Sequence, residues 1–153
     1  MPSRRSFQSP GSPATASYRV WRFAPMVVWM AVIFLLSAQS GGELDTWLPF
    51  FRRLLPGLED FNPMHYAAYF VLALTVAFGL GSRAFSWKGY LWILAVCVLY
   101  GATDEWHQAY VPNRTPDWND LLHDGIGAAA ACVLLLIYRL FRKQGRVPTS
   151  RKY

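Results

Sequence analysis

Four stretches of this chain are almost continuously apolar, and short polar segments separate them. The first runs from Phe23 to Ser40, the second from His65 to Ser82, the third from Trp87 to Gln108, and the fourth from about Pro116 to Leu140. Eighteen helical residues rise roughly 27 Å, close to the hydrocarbon thickness of a bilayer. The pattern therefore predicts an all-α polytopic membrane protein, a bundle of four transmembrane helices. Pro25 falls in the first turn of the first helix, where the missing N–H costs little. A cleaved secretory signal, with Ala38-Gln39-Ser40 as its small-residue site, is the competing reading of that run. The run is long for a signal core, and the later spans keep their orientation either way.

Between the first two runs, Trp47, Phe50, Phe51, Leu54 and Leu55 recur at helical spacing, with Arg52 and Arg53 elsewhere on the wheel. They predict a short amphipathic helix on the outer interface, capped by Thr46 and ended by Pro56. A loop tucked over the bundle is the plainer alternative. Residues 1–20, rich in Ser, Pro and Arg, are expected to be a disordered cytoplasmic tail. Residues 142–153 are expected to be a basic cytoplasmic tail, leaving 21–141 as the membrane domain.

Charge orients the bundle. Arg4, Arg5, Arg19 and Arg22, then Arg83 and Lys88, then six basic residues from Arg139 onward fall on one side. Arg52, Arg53 and Arg114 fall on the other. The positive-inside rule then puts both termini in the cytoplasm. All nine acids lie on or near the outer side, giving that mouth a negative field. The net charge of +6 does not point to nucleic acid, because the basic residues sit at the chain ends and beside apolar runs. A hydrophobic fraction of 54% in 153 residues is too high for an ordinary soluble domain. Mean hydropathy is only +0.18 because the tails dilute the apolar middle. Cys97 and Cys132 lie inside apolar runs and read as small hydrophobes.

The chemistry concentrates in residues 104–124, DEWHQAYVPNRTPDWNDLLHD. Ionisable groups set against membrane-length segments are expensive to keep and mark a functional site. Tyr100, Thr103, Asp104 and His107 share one helical face, and Glu105 and Gln108 form a neighbouring pair. Asp120, His123, Asp124 and Gly127 repeat the first spacing on the fourth helix, and His65 opens the second helix on the same side. Pro112 and Asn113 predict a turn, making a polar loop between the third and fourth helices, and Pro116 suits a first helical position. Asp117 fits a helix N-cap with Asp120 as its partner. Arg114 reads as an ion-pair partner for Asp104, Glu105 or Asp124, or as a clamp for a lipid phosphate or pyrophosphate. His65, His107 and His123 have no tight ligand spacing, so neither a metal nor another cofactor is expected. Glu105 and His107 are the candidate acid–base residues if the site is catalytic. Gly125/Ala129 and Gly127/Ala131 fit a small-residue packing face.

The stretch YGATDEWHQAYVPNRTPDWNDLLHDGIG resembles the VanZ-like membrane proteins. The matching positions are Asp104, Glu105, Gln108, Pro112, Arg114, Asp120, Asp124 and Gly127. His65 with Tyr69 resembles the His and Tyr at the start of an earlier span. The family often carries a Lys three residues before that His, and here the position is Asn62. The resemblance covers about residues 25–140. It implies a multi-pass protein of the bacterial cytoplasmic membrane and, through the family's name, a link to teicoplanin resistance.

Together these expectations give an outward polar pocket of His65, Tyr69, Asp104, Glu105, Gln108, Arg114, Asp120 and Asp124. Its partners would be membrane lipids and a lipid-linked envelope component. The alternative is an intramembrane enzyme, acid–base or metal-assisted, acting on a phospholipid or lipid-linked cell-wall precursor. A proton or ion pathway fits least, because the inner halves of the spans lack ionisable residues.

Overall fold

Each apolar run forms a helix in a computed structural model that describes residues 20–54 and 62–144. In chain order these are α1 (Ala24–Ser37), α2 (Gly41–Leu54), α3 (Asn62–Leu80), a 3-10 turn (Gly81–Phe85), α4 (Trp87–Gln108) and α5 (Trp118–Gln144). No strand occurs among the described residues. The expected tails fall mostly outside them, as do Leu55, Pro56 and the side chains of Trp47, Phe51 and Leu54.

Local chemistry sets the helix boundaries. Gly81 takes a left-handed φ of 59° that a side chain would resist, and it ends α3. Ser86 caps α4 by accepting from the Gly89 N–H at 3.0 Å. The cap of α2 is Ser40, not Thr46. Ser40 Oγ accepts from Glu43 N, while the Ser40 N–H donates to Glu43 Oε2 at 2.8 Å, a reciprocal capping box. That N–H and the Ser40 hydroxyl hold the Glu43 carboxyl below its ordinary pKa. Thr46, already inside the helix, donates back to Gly42 O. Asp117 caps α5, accepting from Asn119 N at 2.8 Å, which lowers its pKa, but its own N–H donates to Glu105 Oε2 and not to the expected partner Asp120.

Helices α1, α3, α4 and α5 alternate in direction. At one end Arg22 donates to Phe78 O at 2.6 Å, and Phe85 packs on Tyr138. At the other end Phe34 stacks on His107, and His65 meets Asp124. Between the ends, Trp29 Nε1 donates to Ala68 O and Tyr100 Oη to Met30 O, fixing α1 on α3 and α4. The core is Ile33 of α1, Tyr69, Leu72, Ala73 and Val76 of α3, Ile93 and Cys97 of α4, and Ala128 and Ala131 of α5.

The most extensive contact joins α3 to α5. A Cβ at Gly127 would collide with the backbone of Tyr66, so glycine is what lets these helices touch. The small-residue face is narrower than expected. Gly127, Ala128 and Ala131 are buried, whereas Ala129 is exposed and Gly125 meets nothing closer than Val98 at 4.0 Å.

The outside of the bundle is apolar. Val27, Leu35, Leu91, Leu99, Ile126, Val133 and Ile137 are all exposed. Trp21 and Trp87 project at one end, and Trp106, Tyr110 and Trp118 at the other, the placement favoured at two membrane interfaces. Among the described residues, two helical stretches, Pro63–Phe85 and Trp118–Arg142, are long and apolar enough to cross a bilayer. Only 22% of the apolar window in the second is buried, unlike the core helix of a soluble protein. These features suggest a membrane protein.

Candidate functional site

The ends of α3, α4 and α5 opposite the Arg22 end carry a buried polar cluster. Helical spacing puts Asp120 and Asp124 one turn apart on α5, and the close α3–α5 approach brings His65 onto them. His65 Nδ1 lies 3.0 Å from Asp124 Oδ1, the geometry of an N–H donating to a carboxylate. Its Nε2 lies 3.7 Å from Asp120 Oδ2. Asp124 is fully buried, and its Oδ2 points at Gly101, where a Cβ would displace it. Gly101 thus admits the Asp124 carboxylate against α4.

Helix α4 supplies the other half. Gln108 Nε2 donates at 3.3 Å both to Asp104 Oδ2 and to Glu105 Oε1. Glu105 Oε2 accepts from the Asp117 N–H at 2.9 Å, which ties the loop before α5 back to α4. Asp104, Glu105, Gln108, Asp120 and Asp124 are all buried. Among the described residues, the ion pairs to these carboxylates come from histidines: His65 to Asp120 and Asp124, and His123 to Asp120 at 3.4 Å. Tyr69 is buried below the cluster, its ring 6.3 Å from that of Tyr100 and its hydroxyl without a hydrogen-bond partner.

Arg114 departs from expectation. It forms no ion pair with Asp104, Glu105 or Asp124 among the described residues, and its buried Nε has no hydrogen-bond partner. Its backbone N–H instead bonds to Val111 O, closing the turn in which Asn113 adopts a φ of 57°. The turn does find a partner: Gly41 N donates to Pro112 O at 3.4 Å, bringing the start of α2 against the loop.

The four-residue face of Tyr100, Thr103, Asp104 and His107 is present, and it lines a groove of about 430 Å³ with Phe34, Trp106 and Tyr110. His107 stacks on Phe34 with ring centroids 4.5 Å apart, so it belongs to the groove wall and not to the His65 cluster. Asp104 belongs to both. Phe34 and Tyr110 escaped the sequence reading, and Trp106 reads from sequence only as an interface anchor. Their only signal is aromatic character near the ends of spans, which interface anchoring explains equally well.

The VanZ/LLP1 family profile matches residues 23–142, most of the chain. The chain belongs to the VanZ/LLP1 family. No curated protein and no solved structure matches it. The family match takes in every helix of the bundle and the whole of the polar cluster, so the cluster lies within the part of the chain that this VanZ-like protein shares with its family.

Proposed function

We propose that this VanZ-like protein is a four-pass protein of the bacterial cytoplasmic membrane, with both termini inside, that binds a lipid-linked envelope component at its outer mouth. The observation that carries the reading is the aromatic groove beside a buried carboxylate–histidine cluster, with Asp104 shared by both. Aromatic walls with one carboxylate suit a hydroxyl- or amine-bearing headgroup, which can stack and donate hydrogen bonds. The groove lining contains no Lys or Arg, so an arginine clamp on phosphate is not its main recognition element. A role in teicoplanin susceptibility follows if the bound component is a cell-wall precursor.

The test is native mass spectrometry of the protein released from its membrane, read for co-purifying lipid. Trp106 is exposed, so Trp106→Ala leaves the core intact. It should lower retention of the lipid-linked component about tenfold, the effect of 1.4 kcal/mol. Equal retention by Trp106→Ala and Asp104→Asn would remove the groove from the proposal. Topology is tested separately in a chain whose Cys97 and Cys132 are replaced. Asn113→Cys should react with an impermeant thiol reagent from outside the cell, and Ser86→Cys only after lysis.

The enzyme alternative draws on a different observation, the buried His65–Asp124 pair. An imidazole held at Nδ1 by a carboxylate leaves Nε2 to move a proton. That favours His65 over Glu105, whose oxygens accept from Gln108 and Asp117, and over His107, which is stacked on Phe34. Full turnover of phospholipid or lipid-linked precursor by His65→Gln would end this reading.

A further inference from the structure

We infer that His65, Glu105 and Asp120 form a binding site for one first-row divalent cation, such as Zn²⁺ or Mn²⁺. One donor atom from each lies within 4.8 Å of the other two, and the three come from α3, α4 and α5. At bond lengths of about 2.0–2.2 Å, donors around a tetrahedral ion stand about 3.3 Å apart. Side-chain adjustments of about an ångström would therefore close them on an ion.

Three independent features point to a cation. First, two of the three donors are already oriented by hydrogen-bonded neighbours. Asp124 holds Nδ1 of His65, leaving Nε2 to ligate. Gln108 and the Asp117 N–H fix Glu105, and His123 flanks Asp120. Carboxylate–histidine–metal chains of this kind set the tautomer and ring angle of the ligating imidazole. Second, Asp120 is only 8% exposed, yet its Oδ2 stands 3.7 Å from His65 Nε2, beyond hydrogen-bond reach, and its Oδ1, 3.4 Å from His123 Nδ1, makes no hydrogen bond. Third, four buried carboxylates, Asp104, Glu105, Asp120 and Asp124, lie in or beside the cluster, and among the described residues the ion pairs to them come from histidines. Buried negative charge without a counter-ion is costly, and a divalent ion supplies two charges at the centre of the deficit. One imidazole with two carboxylates suits a borderline to hard divalent ion, and three protein ligands leave a position open. Neither cysteine is among the donors.

The site stands whether or not the groove takes a lipid-linked ligand. The test uses untagged full-length protein in detergent micelles, stripped with chelator and titrated with Co²⁺ as a spectroscopic probe. Bound Zn²⁺ and Mn²⁺ are counted by plasma mass spectrometry after desalting. The expected result is one ion per chain and a visible Co²⁺ band that saturates at one equivalent. His65→Gln and Asp120→Asn should abolish the band. Asp124→Asn, which alters only the group behind the imidazole, should weaken binding about 10–100-fold. His107→Gln, on the groove wall, should bind like wild type. The wild-type titration is decisive by itself if the variants fail to fold. No retained ion and no saturable band would overturn the site, as would unimpaired binding by His65→Gln or loss of binding in His107→Gln.

Discussion

Asp124→Ala should destabilise the folded bundle by about 3–5 kcal/mol, the usual cost of removing one partner from a buried charged pair. The side chain is fully buried and lies 3.0 Å from His65 Nδ1. Its removal strands a buried N–H and opens a void beside Gly101. Asp124→Asn keeps the volume and an acceptor oxygen. It should cost only about 1 kcal/mol, the difference between a charge-assisted and a neutral hydrogen bond. Asp117→Ala gives the contrast, since Asp117 acts at the exposed start of α5 and loses only a cap, worth about 1 kcal/mol. Unfolding in micelles of rising SDS fraction, followed by tryptophan fluorescence, ranks the three. An Asp124→Ala transition coinciding with wild type would show that the pair contributes nothing to the bundle.

The second large effect is expected at Gly127. A side chain there meets the carbonyl and Cα of Tyr66, atoms that no rotamer change can move. Overpacking typically costs about 1–3 kcal/mol, and here it falls on the largest helix contact in the molecule. Gly127→Leu should therefore separate α3 from α5 and pull His65 off Asp120 and Asp124, losing stability and site together. Gly125→Ala, two residues away, puts its new methyl 4.0 Å from Val98 Cγ2, an ordinary van der Waals contact. It should be neutral or stabilising by up to about 1 kcal/mol from helix propensity. If both substitutions behave alike in the same unfolding assay, close approach at Gly127 is not what positions the site.

The two predictions share a dependence that also explains what could be read from the chain. Asp120 and Asp124 share one face because a helix repeats every 3.6 residues, and that repeat is local. The face of Tyr100, Thr103, Asp104 and His107 follows for the same reason and does line one groove. Partners from different elements do not follow from that repeat, nor does the residue that starts a helix. Arg114 had three nearby carboxylates in sequence and pairs with none of them among the described residues, because its loop closes on Val111 and meets the start of α2 instead. The α2 cap went to Ser40 and not Thr46, since the capping pair with Glu43 starts the helix at Gly41, several residues earlier than its amphipathic spacing implied.

The order of apolar and polar residues alone determined the helices and the end of the bundle at which the acids gather, because each depends on short-range periodicity or on transfer of side chains out of water. Tertiary structure decided which of those side chains meet. His65 reaches Asp124 across 59 residues of chain. It does so because Gly127 lets α3 close on α5, and because the rotation of each helix about its axis is fixed by packing on its neighbours. That rotation separates His107, in the groove, from His65, in the cluster, although both lie at the same end of the bundle.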